Sequence, residues 1–274
     1  MVAGEADMWM SPTMLDLVEL EEAGFTRISG WGGIQWHLLP NADDPNSIWS
    51  NKKLREAVEY AIDKQALCDA LGYGFYEPLF TISPQGDWGG DRQFRNYDPE
   101  KAKQLLAEAG YPDGLEITLL AQTQSSGRND VAEAVKGYLD AVGFKVNLDI
   151  ADTGRYSAAI YADGFEDLAL AMSGNDQDYL VSAQRWWGPQ PRLDLQGYEC
   201  TPELAAIFEK SLKTNDRNEQ KKLTEEIVYY IAEEALVIPL YNNPTSVIHN
   251  GKVHTTYLQQ GLTRFDYANT WLEK

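Results

Sequence analysis

The middle third of the chain alternates apolar strands with amphipathic helices. Residues 115–120 and 144–150 predict strands, and Val131, Val135 and Leu139 recur at helical spacing between them. A second helix is expected at 153–163, with Thr153 as its cap, followed by the continuously apolar run 168–172. An uninterrupted apolar run is typical of a central strand covered on both faces. This strand–helix–strand–helix–strand order predicts an α/β fold with a substantially parallel sheet.

Helices with clear start signals precede this region. Residues 13–23 predict a helix, and a second at 54–62 has Ser50 or Asn51 as its cap. Asp63 is expected to cap a short helix that reaches Leu71. Residues 72–96 predict a long irregular loop, after which Asp98, Pro99 and Glu100 combine a cap, a first-turn proline and an acid.

After the central strand, the sequence predicts two more helices and two short strands. Residues 202–214 form a helix whose inward face is expected to carry Leu204, Phe208 and Leu212. Residues 218–234 form the next helix, and 237–241 and 246–249 read as separate strands.

Charge and composition exclude several functions. The net charge of −19 argues against nucleic acid, whose phosphates require clustered Lys and Arg. It argues equally against electrostatic binding to an anionic membrane surface. The acidity serves either general solubility or the attraction of cationic ligands, and both interpretations stay open. No apolar run approaches the length that spans a membrane.

The reactive residue types show no catalytic or metal-binding arrangement. The histidines at 37, 249 and 254 lie in or beside predicted strands, without a nucleophile or acid at the spacing of a triad. Cys68 and Cys200 are far apart, show no zinc-type spacing, and Cys68 is expected to be a buried thiol. We therefore predict a protein that is not an enzyme and uses no cofactor and no metal.

One acidic cluster differs from the many solvated carboxylates. Residues 175–178 (NDQD) come directly after the apolar run 168–172. Ligands of α/β sheets bind at the carboxyl ends of strands, where an acid can meet a ligand cation. The alternative is that the cluster caps a helix that begins at Tyr179.

Three segments together resemble a known family. Residues 51–64 (NKKLREAVEYAIDK), 97–112 (YDPEKAKQLLAEAGYP) and 4–7 (GEAD) are similar to the oligopeptide/dipeptide-binding family, family 5, of ABC-importer solute-binding proteins. The resemblance implies a lobe of the type II periplasmic-binding-protein fold, with a mixed sheet flanked by helices. It also implies that the chain is part of a longer extracytoplasmic protein, from a shortened sequence or a split gene. That protein delivers its solute to the transmembrane permease subunits of the importer.

The resemblance further implies a division of the chain and a set of ligand contacts. Residues 1–33 correspond to a hinge and part of a first lobe, 34–245 to a second ligand-binding lobe, and 246–274 to the return segment. In peptide-binding members an Asp after the central strand pairs with the peptide's amino group. Phe165 and Asp167 resemble the opening of that strand and put Asp176 at this position. The expected ligand contacts are Asp176, Asn175, Trp36, Tyr156 and Trp186.

The ligand class stays open at this point. A peptide is the leading expectation, but Ser173 stands where the family usually has Trp. Another small solute such as an oligosaccharide is the alternative, since Trp186 and Trp187 suit a sugar ring as well as a peptide. A function of another class, hydrolysis of a glycan by two carboxylates, would need two such groups facing each other across a pocket.

Overall fold

The computed structural model describes residues 1–10, 12–123, 129–175, 178–189, 195–255 and 267–273. The strands are β1 (Met8–Met10), β2 (Thr26–Pro40), β3 (Glu77–Pro78), β4 (Leu115–Gln122), β5 (Phe144–Ala151), β6 (Leu168–Gly174), β7 (Ile238–His249), β8 (Val253–His254) and β9 (Trp271–Leu272). The α-helices are α1 (Met14–Glu22), α2 (Lys52–Ala61), α3 (Lys64–Leu71), α4 (Pro99–Glu108), α5 (Asp130–Ala141), α6 (Thr153–Ala158), α7 (Tyr179–Trp187), α8 (Pro202–Lys213) and α9 (Arg217–Glu233).

One mixed sheet organises this part of the chain. Its strand order is β1-β7-β2-β6-β4-β5, with β3 paired to β7. The central trio β6, β4 and β5 is parallel, whereas β2 is antiparallel to both β6 and β7. The predicted α/β class and mixed sheet are therefore confirmed, and the apolar run 168–172 forms an interior strand.

Helices cover both faces of this sheet and form two cores. Successive strand residues point to opposite faces. Leu38 and Leu119 accordingly join the core beneath α1–α5, while Leu39 and Leu120 join the core beneath α6–α9. This double coverage is why residues 168–172 of β6 are apolar at every position.

Most helix starts are where the local signals predict them. Asn51, Asp63 and Asp98 each accept a hydrogen bond from a backbone N–H in the first turn of α2, α3 and α4, respectively. The cap of α6 is a correction, because Asp152, not Thr153, accepts the hydrogen bond from the Arg155 N–H.

Two further predictions are wrong. Leu212 is 57% exposed, and the buried face of α8 runs through Leu204, Ile207 and Phe208 to Ser211. A 3.6-residue period rotates position 212 off the face that 204 and 208 define. The separate strands predicted at 237–241 and 246–249 are one strand, β7, because β2 pairs with it along most of its length.

The predicted limits of the ligand-binding lobe, 33/34 and 245/246, fall within continuous strands. β2 and β7 pass through both limits as a pair, and their register shifts between Ser29 and Gly33. Gly33 has φ 142°, and a Cβ there would lie 2.3 Å from the Asn243 carbonyl oxygen. The two strands thus approach each other closely at this irregularity.

The segment 51–64 has a structural reason for its composition. Glu59 is buried and pairs with Lys64 and Arg95, each at 2.9 Å. Arg95 also donates to the carbonyls of Ala232 and Glu233, at the carboxyl end of α9. This charge network joins α2, α3, the 72–96 loop and α9.

The cysteines are both free thiols, and Cys68 is buried as expected. None of the helices in the described ranges is both long and apolar enough to cross a membrane.

Candidate functional site

The carboxyl ends of β4, β5 and β6 lie along one edge of the sheet. At this edge Gly174 of β6 pairs with Ile34 of β2, and Ile34 pairs in turn with Asn243 of β7. Directly opposed residues point to the same face. Ile34 is 41% exposed, so this face is open where the strands end. We name the four residues Gly174, Ile34, Asn243 and Asn175 the strand-end edge.

Asn175 continues the chain from β6 at the strand-end edge. Its side chain is half-buried, and both its Nδ2 and Oδ1 are shielded without a hydrogen-bond partner among the described residues. Buried polar groups normally have a partner, so an amide of this kind calls for one from outside this part of the chain. Asp176, the acid predicted to meet a ligand, lies outside the described residues.

The carbonyl oxygen of Gly174 receives two donors from α7. Trp186 Nε1 and Arg185 Nη2 each donate to it at 3.0 Å, and the guanidinium lies 5.3 Å from the Trp186 ring centre. These bonds fix the half-buried indole of Trp186 beside the end of β6. Asp178 caps α7 by accepting from the Leu180 N–H, so one member of the 175–178 cluster does serve as a helix cap.

Trp36 belongs to an aromatic stack that starts near this edge. It lies two residues beyond Ile34 on β2, is half-buried, and stacks on Tyr241 with ring centres 6.1 Å apart. Tyr241 stacks on Tyr76 at 4.4 Å. The stack supports the ring of Trp36 from one side and holds it in a defined orientation.

Tyr156 lies in the core and not on an open wall. Its side chain is 5% exposed, and its hydroxyl donates to the Leu170 carbonyl at 2.9 Å. Burial raises the pKa of this hydroxyl above its ordinary value. The first turn of α6 points inward at this position, so we do not carry Tyr156 forward as a ligand contact.

The structure adds three amides that the sequence did not single out. Gln35, Asn242 and Asn243 sit on the adjoining strands, and Gln35 Nε2, Asn242 Oδ1 and Asn243 Oδ1 are shielded without a partner in the described ranges. Gln35 pairs across the sheet with both Asn242 and Ser173, whose hydroxyl donates to Gln35 Oε1 at 3.3 Å. The pairing of β2 with β7, about 200 residues apart in sequence, brings Gln35 and Asn242 to one face of the sheet, and Asn243 lies next to them on the other face.

The histidine nearest to this region is a core residue. His37 is buried and meets the Trp187 ring edge-on at 5.2 Å. Burial lowers the pKa of His37 to about 3, so the imidazole is neutral at physiological pH. Within the described ranges, no group of three or more His, Cys, Asp or Glu side chains is arranged to hold a metal ion.

Comparison with known proteins decides the family. Residues 1–193 match the model of the bacterial extracellular solute-binding proteins, family 5 middle region. The chain belongs to this family. Family 5 proteins are extracytoplasmic, non-catalytic components of transport systems.

Curated and solved relatives agree with this assignment. The glutathione-binding protein GsiB of Salmonella choleraesuis is 31% identical over 207 residues, covering 70% of this chain and 39% of that protein. The periplasmic binding protein DppA of Helicobacter pylori, solved with the peptide STSA, has a TM-score of 0.84 at 21% identity. AgaA of A. tumefaciens R10, solved with agropinic acid, has a TM-score of 0.80 at 24% identity. Both structural matches cover 100% of this chain but only 54% and 57% of the neighbours.

The chain therefore has the fold of type II periplasmic binding proteins and spans about half the length of these relatives or less. The structural neighbours bind chemically different ligands, so the fold alone does not select one.

Proposed function

We propose that residues 34–245 form one ligand-binding lobe of the solute-binding component of an ABC importer, and that its ligand is a short peptide. The observation that carries this proposal is the pair of unpartnered amides at the strand-end edge, Asn175 and Asn243. Peptide groups offer both donors and acceptors, which suits side-chain amides. Ligands of α/β folds also bind at the carboxyl ends of strands.

Each remaining contact has a chemical role in this proposal. Asp176 pairs with the peptide's amino group, because a charge-assisted bond to a carboxylate is strong and directional. Trp36 and Trp186 provide aromatic faces for apolar parts of the ligand. The family's peptide-binding and glutathione-binding members support this ligand class.

The whole protein would act outside the cytoplasmic membrane and pass its ligand to the permease subunits. A second lobe would close over the strand-end edge, since solute-binding proteins close two domains around a ligand. No catalytic step is part of this proposal.

Calorimetry on the full-length protein tests the ligand class. We expect saturable heat with trialanine or glutathione, and a loss of affinity of at least about tenfold in Asp176→Ala. Asp113→Ala is the matched control, since Asp113 is an exposed acid in the loop before β4. Absence of heat with every peptide, or equal affinities in the two variants, would contradict the proposal.

An oligosaccharide is the second candidate, favoured by the exposed parts of Trp36 and Trp186. Aromatic rings stack on sugar faces without requiring a ligand charge, so a sugar ligand would be insensitive to Asp176→Ala. Binding of a sugar panel without peptide binding would select this alternative.

A further inference from the structure

A cavity of about 460 Å³ adjoins the strand-end edge on the side of β7. Asn242 and Pro244 of β7 line it, one residue on either side of Asn243. Its volume is within the range of small-ligand pockets. The remaining wall comes from the start of β2 and from the 72–96 loop.

Hydrogen-bond acceptors dominate the chemistry of this cavity. Glu77 contributes an exposed carboxylate, and Asn242 Nδ2 donates to its Oε2 at 3.4 Å. Asn242 is 3% exposed, and its Oδ1 has no partner among the described residues. Gln85 donates its Nε2 to the Pro78 carbonyl at 2.9 Å, which leaves its Oε1 as an acceptor. Two exposed acceptor groups, the carboxylate of Glu77 and the amide oxygen of Gln85, thus line the cavity.

Arg27 is the cation that lines the cavity, and it does not cancel the preference of the cavity for a ligand with hydrogen-bond donors. Arg27 Nε donates to Glu21 at 2.8 Å, and Arg27 Nη1 donates to Ser29 at 2.5 Å. Its guanidinium also lies over the Phe75 ring, 4.8 Å from the ring centre. Because Glu21 already balances the charge of Arg27, Glu77 is the carboxylate left to attract a ligand cation. The net charge of −19 acts in the same direction.

We propose that this cavity is a subsite for the ammonium group of a lysine side chain in the bound peptide. An ammonium has three donors and no acceptor, which matches the carboxylate of Glu77 and the amide oxygen of Gln85. The inference rests on the proposed function and deepens it, since it defines a preferred residue of the peptide.

The sheet register specifies which peptide residue reaches the cavity. β6 and β7 are separated by β2, so Gly174 at the end of β6 and Asn243 of β7 lie about 10 Å apart. An extended peptide advances about 3.4 Å per residue. A peptide whose amino group is held after β6 therefore places its third residue above β7, beside the cavity.

Two peptides and two variants test this subsite by calorimetry on the full-length protein. Ala-Ala-Lys and Ala-Ala-norleucine differ at the third residue by the ammonium group. We expect the protein to prefer the lysine peptide about tenfold, the effect of one charge-assisted hydrogen bond. Glu77→Gln should reduce this preference to about one.

Glu100→Gln is the matched control, because Glu100 pairs with Lys103 on the exposed face of α4. It should retain the preference for lysine. Gln85→Ala, a second exposed position, should reduce the preference in part. Equal affinity of the unmodified protein for the two peptides, or a preference that survives Glu77→Gln, would overturn the subsite. If neither peptide bound the unmodified protein, the proposed function itself would fail.

Discussion

Glu59→Gln should be among the most destabilising conservative substitutions in this chain. The carboxylate has 2% of its side-chain surface exposed and is the partner of both Lys64 and Arg95. Arg95 retains Glu56 and two α9 carbonyls after the change. In the part of the chain that the structure describes, the Lys64 ammonium keeps the Phe80 ring, 5.8 Å away, and an uncharged amide at position 59. The substitution therefore leaves a buried ammonium without a compensating charge.

The magnitude follows from the two ways in which Lys64 can respond. Breaking a buried ion pair costs about 3–5 kcal/mol when the remaining charge stays in place. Alternatively the ammonium gives up its proton, which costs an ordinary lysine about 5 kcal/mol at pH 7. Both routes predict that Glu59→Gln lowers the free energy of unfolding by about 3–5 kcal/mol.

The pH dependence identifies the cause. Burial already lowers the pKa of Lys64, and Glu59 opposes that shift, so removing Glu59 lowers the pKa further. The folded variant then binds fewer protons than the unfolded chain between that lowered pKa and the ordinary lysine pKa. The free energy of unfolding rises with pH where the unfolded state binds more protons. The loss of unfolding free energy in Glu59→Gln, relative to the unmodified protein, should therefore shrink between pH 7 and about pH 9.5.

Urea unfolding at the two pH values measures this effect. Glu209→Gln is the control, because Glu209 and Lys213 are well exposed and such surface pairs contribute little. A loss for Glu59→Gln as small as that of the control, or a deficit that does not change with pH, would refute the reasoning.

Three further predictions concern caps, the core and thiol chemistry. Asp98→Ala removes the cap of α4 and should lower the free energy of unfolding by about 1 kcal/mol, measured by a thermal or urea melt. An unchanged free energy of unfolding would show that the cap is dispensable. Tyr156→Phe should cost about 1 kcal/mol of stability and leave peptide affinity unchanged, since its hydroxyl serves the Leu170 carbonyl; an affinity loss in calorimetry would restore Tyr156 to the ligand site. Burial raises the pKa of the Cys68 thiol to about 12, so in a Cys200→Ser variant dithiobis(nitrobenzoate) should label Cys68 at pH 8 only after unfolding; rapid labelling of that folded variant would contradict the burial of Cys68.

Local signals were sufficient for most of the fold. Asn51, Asp63 and Asp98 cap helices through bonds to residues two or three positions away, which a sequence displays directly. Leu212 shows the limit of this reasoning, because a strict four-residue spacing drifts off the helical face within two turns. At α8 the buried position is Ser211, whose hydroxyl donates to the Phe208 carbonyl and so tolerates burial.

The candidate site was harder to predict, because it depends on long-range pairing. Asn175 stood out because it follows an apolar strand. Gln35 and Asn243 carry no local signal, and they join the edge only through the register of β2 with β7 and β6. The burial of Tyr156 has no local signal for the same reason, since the direction of its ring depends on how α6 packs against β6.

The location of the ligand is the central claim, and an NMR titration of the ¹⁵N-labelled full-length protein with trialanine tests it most directly. The account predicts saturable shifts of the Gly174 and Asn175 amides and of the Trp36 and Trp186 indole N–H groups. Asn41, at the opposite end of the sheet where β2 leads into the next loop, should stay unchanged. Shifts confined to the Asn41 end, or no saturable shift at the strand-end edge, would contradict the account.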